Sequence, residues 1–133
     1  MIFPYHKQET KYTCGAAAMR MALESAGIKM TEKSIAKVLG TNKVRGTWLK
    51  NFPILAEKLK MNYVIKRNCG IPDIKRLLRL GYTVVVVYWY PSEKIDHYSI
   101  IRKIDSKYVH FFDPWFGPNH KYTIPYFLKN WKS

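Results

Sequence analysis

Apolar residues recur at helical spacing early in the chain and at strand spacing later. Ala16, Met19, Leu23 and Ala26 share one helical face, which predicts a helix over 14–26, with Thr13 as its N-cap and Gly27 closing it. Thr31 is placed to cap a shorter helix carrying Ile35, Val38 and Leu39, closed by Gly40. A third helix is predicted over roughly 47–60, with Phe52, Leu55, Ala56 and Leu59 on one face. Pro53 lies inside it, so that helix either starts late, near Asn51, or is kinked. Residues 63–67 read as a strand. Pro72 and Asp73 open a fourth helix with Ile74, Leu77 and Leu78, ended by Gly81. Strands follow at 83–89, 97–104 and 108–113, a shorter one near 121–124, and a final short helix over 125–131.

Helices that precede an antiparallel sheet argue for an α+β domain. The chain has 133 residues, the size of one ordinary domain, and the expectation is a single domain over 1–133 with a core of its own. The longest apolar run, 84–90, is β-branched and aromatic and far short of the ~20 residues of a membrane helix. The first residues lack a basic start followed by a long apolar stretch, so no secretory leader is expected and a cytoplasmic location is.

Charge changes the picture. The formal net charge is +14, and it is uneven: residues 1–82 hold 16 basic and 5 acidic side chains, residues 83–133 hold 7 and 4. A lysine-rich solvated surface is the bland explanation. An acidic partner or an anionic surface is the functional one. Two cysteines, Cys14 and Cys69, make no disulfide framework, and no Cys/His metal spacing is present, so neither a metal nor a cofactor is expected.

Cys14 stands at the start of an alanine-rich helix, where unpaired amides and the helix dipole favour a thiolate. Gly15 and the alanines after it keep bulk away, so a substrate backbone can approach. Gln8, six residues upstream, is placed to donate its side-chain amide beside the Cys14 amide, and two such donors form an oxyanion hole. A buried structural cysteine is the plain alternative.

A thiolate nucleophile needs a base, and the base an orienter. His97 opens a strand. A two-residue loop at 105–106 would set His97 opposite Pro114, one register step from Asp113. That hairpin brings a histidine and a carboxylate together. Asp96 is adjacent in sequence but points to the opposite face. His6 lies in the N-terminal arm with no carboxylate partner expected, His110 alternates within a strand, and His120 falls in a loop. Trp48, Trp89, Tyr90 and Trp115 lie near segments expected to border the cleft and are candidate substrate contacts, with packing as the alternative. Lys58, Lys60, Lys66, Arg67, Lys75, Arg76 and Arg79 form a basic run read as a solvated face, or else as an anion-binding surface.

Together these residues resemble the double-glycine leader peptidases, bacteriocin-processing cysteine peptidases of the papain-like clan. The matching elements are Gln8, Cys14-Gly15-Ala16-Ala17, His97-Tyr98-Ser99-Ile100-Ile101 and Asp113-Pro114, with His97 and Asp113 sixteen residues apart. Arg45-Gly46-Thr47-Trp48-Leu49 is similar to the family's Gly-Thr/Ser element, and the resemblance covers roughly 5–125. It implies a papain-like fold, with N-terminal helices packed on a C-terminal antiparallel sheet. It also implies Cys14 as nucleophile, His97 as general base then acid, Asp113 as orienter and Gln8 as oxyanion donor. Members are often the N-terminal domains of peptide-exporting ATP-binding cassette transporters. No membrane span or phosphate-binding glycine loop occurs here, so a stand-alone relative is expected.

The leading expectation is a cysteine peptidase that cleaves an extended peptide at small residues, in the manner of cleavage after Gly-Gly. The same triad would serve an acyltransferase, deamidase or isopeptidase. A non-catalytic basic module for nucleic acid or an anionic surface is the third reading. No nucleic-acid motif is present, which sets nucleic acid aside as the expected partner.

Overall fold

The computed structural model describes residues 3–44, 46, 47 and 49–132, and only the backbone of Leu49. The chain divides into two compact units, Met1–Ile65 and Lys66–Ser133.

The first unit is helical: α1 (Cys14–Ser25), α2 (Glu32–Leu39), a 3₁₀ turn (Leu49–Asn51) and α3 (Phe52–Lys58). Helix α1 ends in a Schellman motif. Gly27 adopts φ 89, Ile28 N–H bonds the Leu23 carbonyl and Gly27 N–H bonds the Glu24 carbonyl. The Thr31 hydroxyl caps α2 by accepting the Ser34 N–H at 3.1 Å. Pro53 sits in the first turn of α3, where its missing N–H costs nothing, so the third helix starts late rather than kinking. Ala16, Leu23, Ile35, Leu39 and Leu55, all buried, form the core, with Phe52 and Leu59 against it.

The second unit contains α4 (Ile71–Arg79), β1 (Val85–Tyr90), β2 (Ile95–Ile104), β3 (Tyr108–Asp113), β4 (Gly117–Thr123) and α5 (Ile124–Asn130). The four strands form one antiparallel sheet in sequence order. Its core joins Val86, Tyr88, Ile101, Val109 and Phe111 of the sheet to Ile74 of α4 and Phe127 of α5. Past α5 the chain returns to β1: Trp131 bridges Tyr88, and Lys132 N–H bonds the Val87 carbonyl at 3.0 Å. That return pairs part of an otherwise open strand edge.

Three expectations are corrected. Residues 63–67 form no strand. Tyr63, Val64 and Ile65 are 42%, 50% and 53% exposed, so strand propensity here finds no partner ladder to realise it. The last strand runs over Gly117–Thr123 rather than starting near 121, so His120 lies in a strand and not a loop. The β2–β3 register also differs: Ile104 pairs with Val109 and, beyond an irregularity between Ile101 and Lys103, Ile100 pairs with Phe112. A two-residue loop at 105–106 would set Ile104 opposite Lys107; its partner instead lies two residues further on, and Asp105 Oδ1 holds the turn by accepting the Lys107 and Tyr108 N–H groups at 2.8 and 2.7 Å.

Candidate active site

In the first unit the candidate nucleophile is the first residue of α1, and it is buried. Thr13 holds the cap position, but its side chain makes no cap hydrogen bond, so it leaves the first-turn amides of α1 unserved. Its hydroxyl donates instead to Glu32 Oε2 at 2.8 Å. Beside Cys14, Gly15 is packed so closely that a Cβ would meet Thr47 Cβ and Oγ1 at 3.0 Å and Phe52 Cζ at 3.2 Å. Thr47 or Phe52 would have to give by a few tenths of an ångström to admit a side chain there. Gln8 is buried. Its Nε2 donates to the Thr10 carbonyl at 2.6 Å, which fixes which way the amide points, while its buried Oε1 has no hydrogen-bond partner. An amide nitrogen carries two hydrogens, so the Thr10 bond uses only one of them.

In the second unit His97 and Asp113, 4% and 0% exposed, meet through His97 Nε2 and Asp113 Oδ1 at 2.8 Å. The altered register does not part them. Asp113 closes β3 just before the turn to β4. Its Oδ1 also accepts the Trp115 and Phe116 N–H groups, each at 2.9 Å, an Asx-type turn that the Asp113-Pro114 pair initiates. Tyr88 on β1 donates its hydroxyl to Oδ2 at 2.8 Å. Burial alone would raise the Asp113 carboxyl; the hydrogen bond and charge of His97 and the two backbone donors outweigh it, and the net shift is downward. Asp113 therefore stays ionised in a buried setting. Burial, with the Asp113 charge behind it, drives the Tyr88 phenol far upward, so Tyr88 remains a donor. The His97 ring meets Tyr88 edge-on at 5.3 Å and Phe116 at 5.9 Å, an apolar jacket around the pair.

The other sequence candidates scatter. Asp96 pairs with Lys132 at 2.9 Å on the surface, while its neighbour His97 points inward. His110 bonds Asp105 at 2.7 Å. His6, expected to lack a carboxylate, contacts both oxygens of Glu24 at 3.2 Å; a partner eighteen residues away cannot be read from local sequence. His120, corrected above to β4, stacks on Phe116 with centroids 4.6 Å apart. Burial lowers its pKa against the opposing pull of Asp113. Trp89 and Tyr90 are half-buried and Trp115 is exposed; Tyr90 meets Phe116 edge-on at 5.2 Å. Trp48 lies outside the described residues, as does Arg45 of the Gly-Thr/Ser element. Cys14 and Cys69 are in no disulfide. The lysines and arginines of the 58–79 run are all exposed. Among the described residues no helix is long and apolar enough to cross a membrane, and no three His, Cys, Asp or Glu side chains cluster to hold a metal ion.

Sequence reasoning passed over Tyr88, Phe116 and Glu32. Tyr88 left a signal, since a phenol that directly follows four valines in an apolar strand carries a polar tip that must find a partner when buried. Glu32 left none, because an acid in a helix's first turn ordinarily faces water and complements the dipole.

The family model for the Peptidase_C39 like family matches residues 2–133. An uncharacterized protein of Methanothermobacter thermautotrophicus is 28% identical over 110 residues, 83% of this chain and 70% of its own length. Among solved structures, the peptidase domain of Streptococcus ComA, a bi-functional ABC transporter involved in a quorum sensing pathway, superposes with a TM-score of 0.79. It is 18% identical, and the match covers 98% of this chain and 93% of that one. A protein described as a C39-like peptidase of Bacillus anthracis gives a TM-score of 0.72 at 14% identity, over 91% and 84% of the two chains. At such identities the likeness shows the fold, which is that of papain-like C39 peptidase domains.

Proposed function

We propose, for a chain that belongs to the Peptidase_C39 like family, a cysteine peptidase activity with Cys14 as nucleophile, His97 as base and Asp113 as its orienter. This reading takes residues 1–133 as one peptidase domain. The observation that carries the reading is the buried His97–Asp113 pair. A histidine and a carboxylate taken out of water at 2.8 Å are costly unless they are held for a task. With Nε2–H donated to Asp113, Nδ1 is the nitrogen that takes the Cys14 proton. The thiolate attacks the scissile carbonyl, and the Gln8 amide and Cys14 N–H receive the oxyanion. His97 returns the proton to the leaving amine, and a thioester remains on Sγ. His97 then draws a proton from water, which attacks the thioester carbonyl and releases the acid and the thiol. The substrate in this reading is an extended peptide with small residues beside the cut, such as a Gly-Gly pair, with Gly15, Trp48, Trp89, Tyr90 and Trp115 as its contacts.

The test is iodoacetamide alkylation at about pH 6, read by mass spectrometry, below the ordinary cysteine pKa of about 8.5. Cys14 is 7% exposed and Cys69 is half-buried, so exposure alone would favour Cys69. The expected result is the reverse, preferential modification of Cys14, with the preference abolished in His97→Ala. Faster reaction at Cys69, or a preference untouched by His97→Ala, would refute the nucleophile.

A further inference from the structure

We infer that Glu32 is a positioning residue, whose single carboxylate oxygen sets the spacing between the two oxyanion donors, Gln8 and the Cys14 amide. The inference rests on the peptidase reading above. Glu32 is 1% exposed, and its Oε2 accepts the Glu9 N–H at 2.7 Å and the Thr13 hydroxyl at 2.8 Å. Glu9 follows Gln8 and Thr13 precedes Cys14, so one oxygen holds the chain beside each donor.

The hydrogen bonds run in one direction. The Thr13 hydroxyl has one proton, and the carboxylate at 2.8 Å is a better acceptor than the Thr10 carbonyl at 3.3 Å. Its lone pairs then receive the Thr10 N–H at 3.2 Å and the Thr10 hydroxyl at 2.8 Å. With Thr10 so held, its carbonyl orients the Gln8 amide at 2.6 Å. The aim of the Gln8 side chain thus traces back to Glu32. The same arrangement explains why Thr13 fails to cap α1: the hydroxyl is committed to the carboxylate, and a cap worth about 1 kcal/mol is forgone.

Stability alone does not account for it. Glu32 Oε1 and Arg20 Nε are buried without hydrogen-bond partners, and burial drives the Glu32 carboxyl upward against its two donors. An apolar side chain could fill the site without that cost. What it could not do is hold two backbone points at a fixed separation.

Two reactions of Cys14 separate positioning from general damage. Acylation by p-nitrophenyl acetate passes through a tetrahedral oxyanion, whereas alkylation by iodoacetamide does not. In Glu32→Ala, acylation is expected to fall about 10²-fold, the scale of one lost oxyanion donor, with alkylation far less changed. Glu32→Gln, whose amide oxygen can accept both hydrogen bonds, is expected to recover most of the lost rate. Should Glu32→Ala fail to fold, Thr13→Ala against Thr13→Ser makes the same comparison, slow against near normal. Equal losses in both reactions, undiminished acylation, or no recovery with the conservative variants would overturn the inference. A wild-type protein that is not acylated at Cys14 would overturn the peptidase reading itself, before any variant is compared.

Discussion

Replacing Tyr88 with phenylalanine removes one hydroxyl from the His97–Asp113 pair and leaves the ring in place. That ring packs on Phe111, Tyr122 and His97 with centroids 5.7, 5.3 and 5.3 Å away, contacts phenylalanine can keep. What goes is the donor 2.8 Å from Asp113 Oδ2. Tyr88 and Asp113 are 1% and 0% exposed, so water neither screens the bond nor replaces it. A hydrogen bond to a charged group contributes about 1.5–3 kcal/mol, and one between neutral groups about 0.5–1.5 kcal/mol. The deficit of Tyr88→Phe should therefore lie in the upper range at neutral pH and fall to the lower once Asp113 is protonated. The Asp113 pKa is depressed below its ordinary 3.8 by folding. The stability it contributes is thus present above that value and lost as pH falls through the folded pKa. Without the hydroxyl the carboxylate is held less firmly, so the variant should lose this stability at a higher pH than the wild type. Urea unfolding of both proteins at neutral and acid pH measures the difference, with an unchanged m-value showing that the denatured state is unaltered. A deficit of equal size at both pH values, or none, would refute the account of Asp113 as an ionised, hydroxyl-held orienter. If Tyr88 acts through Asp113 on His97, peptide hydrolysis by the variant loses kcat rather than gaining KM.

Gln8→Ala is expected to lower turnover by roughly 10²–10³ with little change in unfolding free energy, the signature of a lost oxyanion donor; an unchanged rate counts against that role. Gly15→Ala should destabilise on thermal melting, because its Cβ would press on Thr47 and Phe52. Overpacking costs of about 1–3 kcal/mol exceed the helix gain of about 1 kcal/mol, and a melting point at or above wild type would show that the neighbours yield. Glu32→Gln removes a carboxyl whose pKa is raised above its ordinary 4.5 by burial. The stability that Glu32 brings is present below that value and lost as pH rises through its folded pKa. The variant should therefore gain on the wild type in melting temperature as pH rises from about 4 to 7, and a difference that is flat or of opposite slope would refute it.

The helices were legible because their signals are local. Thr31 and Gly40 bracket α2, Gly27 ends α1, and Pro53 delays α3, each through backbone chemistry within a few residues of itself. The cysteine at the start of α1 and the Asp113-Pro114 turn are local in the same sense. His97 and Asp113 could be paired on paper because a hairpin places them together, even though the register beside the turn is displaced by two residues. Pairings across long separations left no such trace. Residues 63–67 carry strand propensity but no ladder, because a strand exists only where another strand accepts its hydrogen bonds. His6 finds Glu24, Tyr88 reaches Asp113 from another strand, and Glu32 turns inward to Thr13 and Glu9. In each case the residue type fits either a solvent-facing or a buried role. Only the packing of distant segments, which sets whether water or a protein donor meets the polar atom, decides between them.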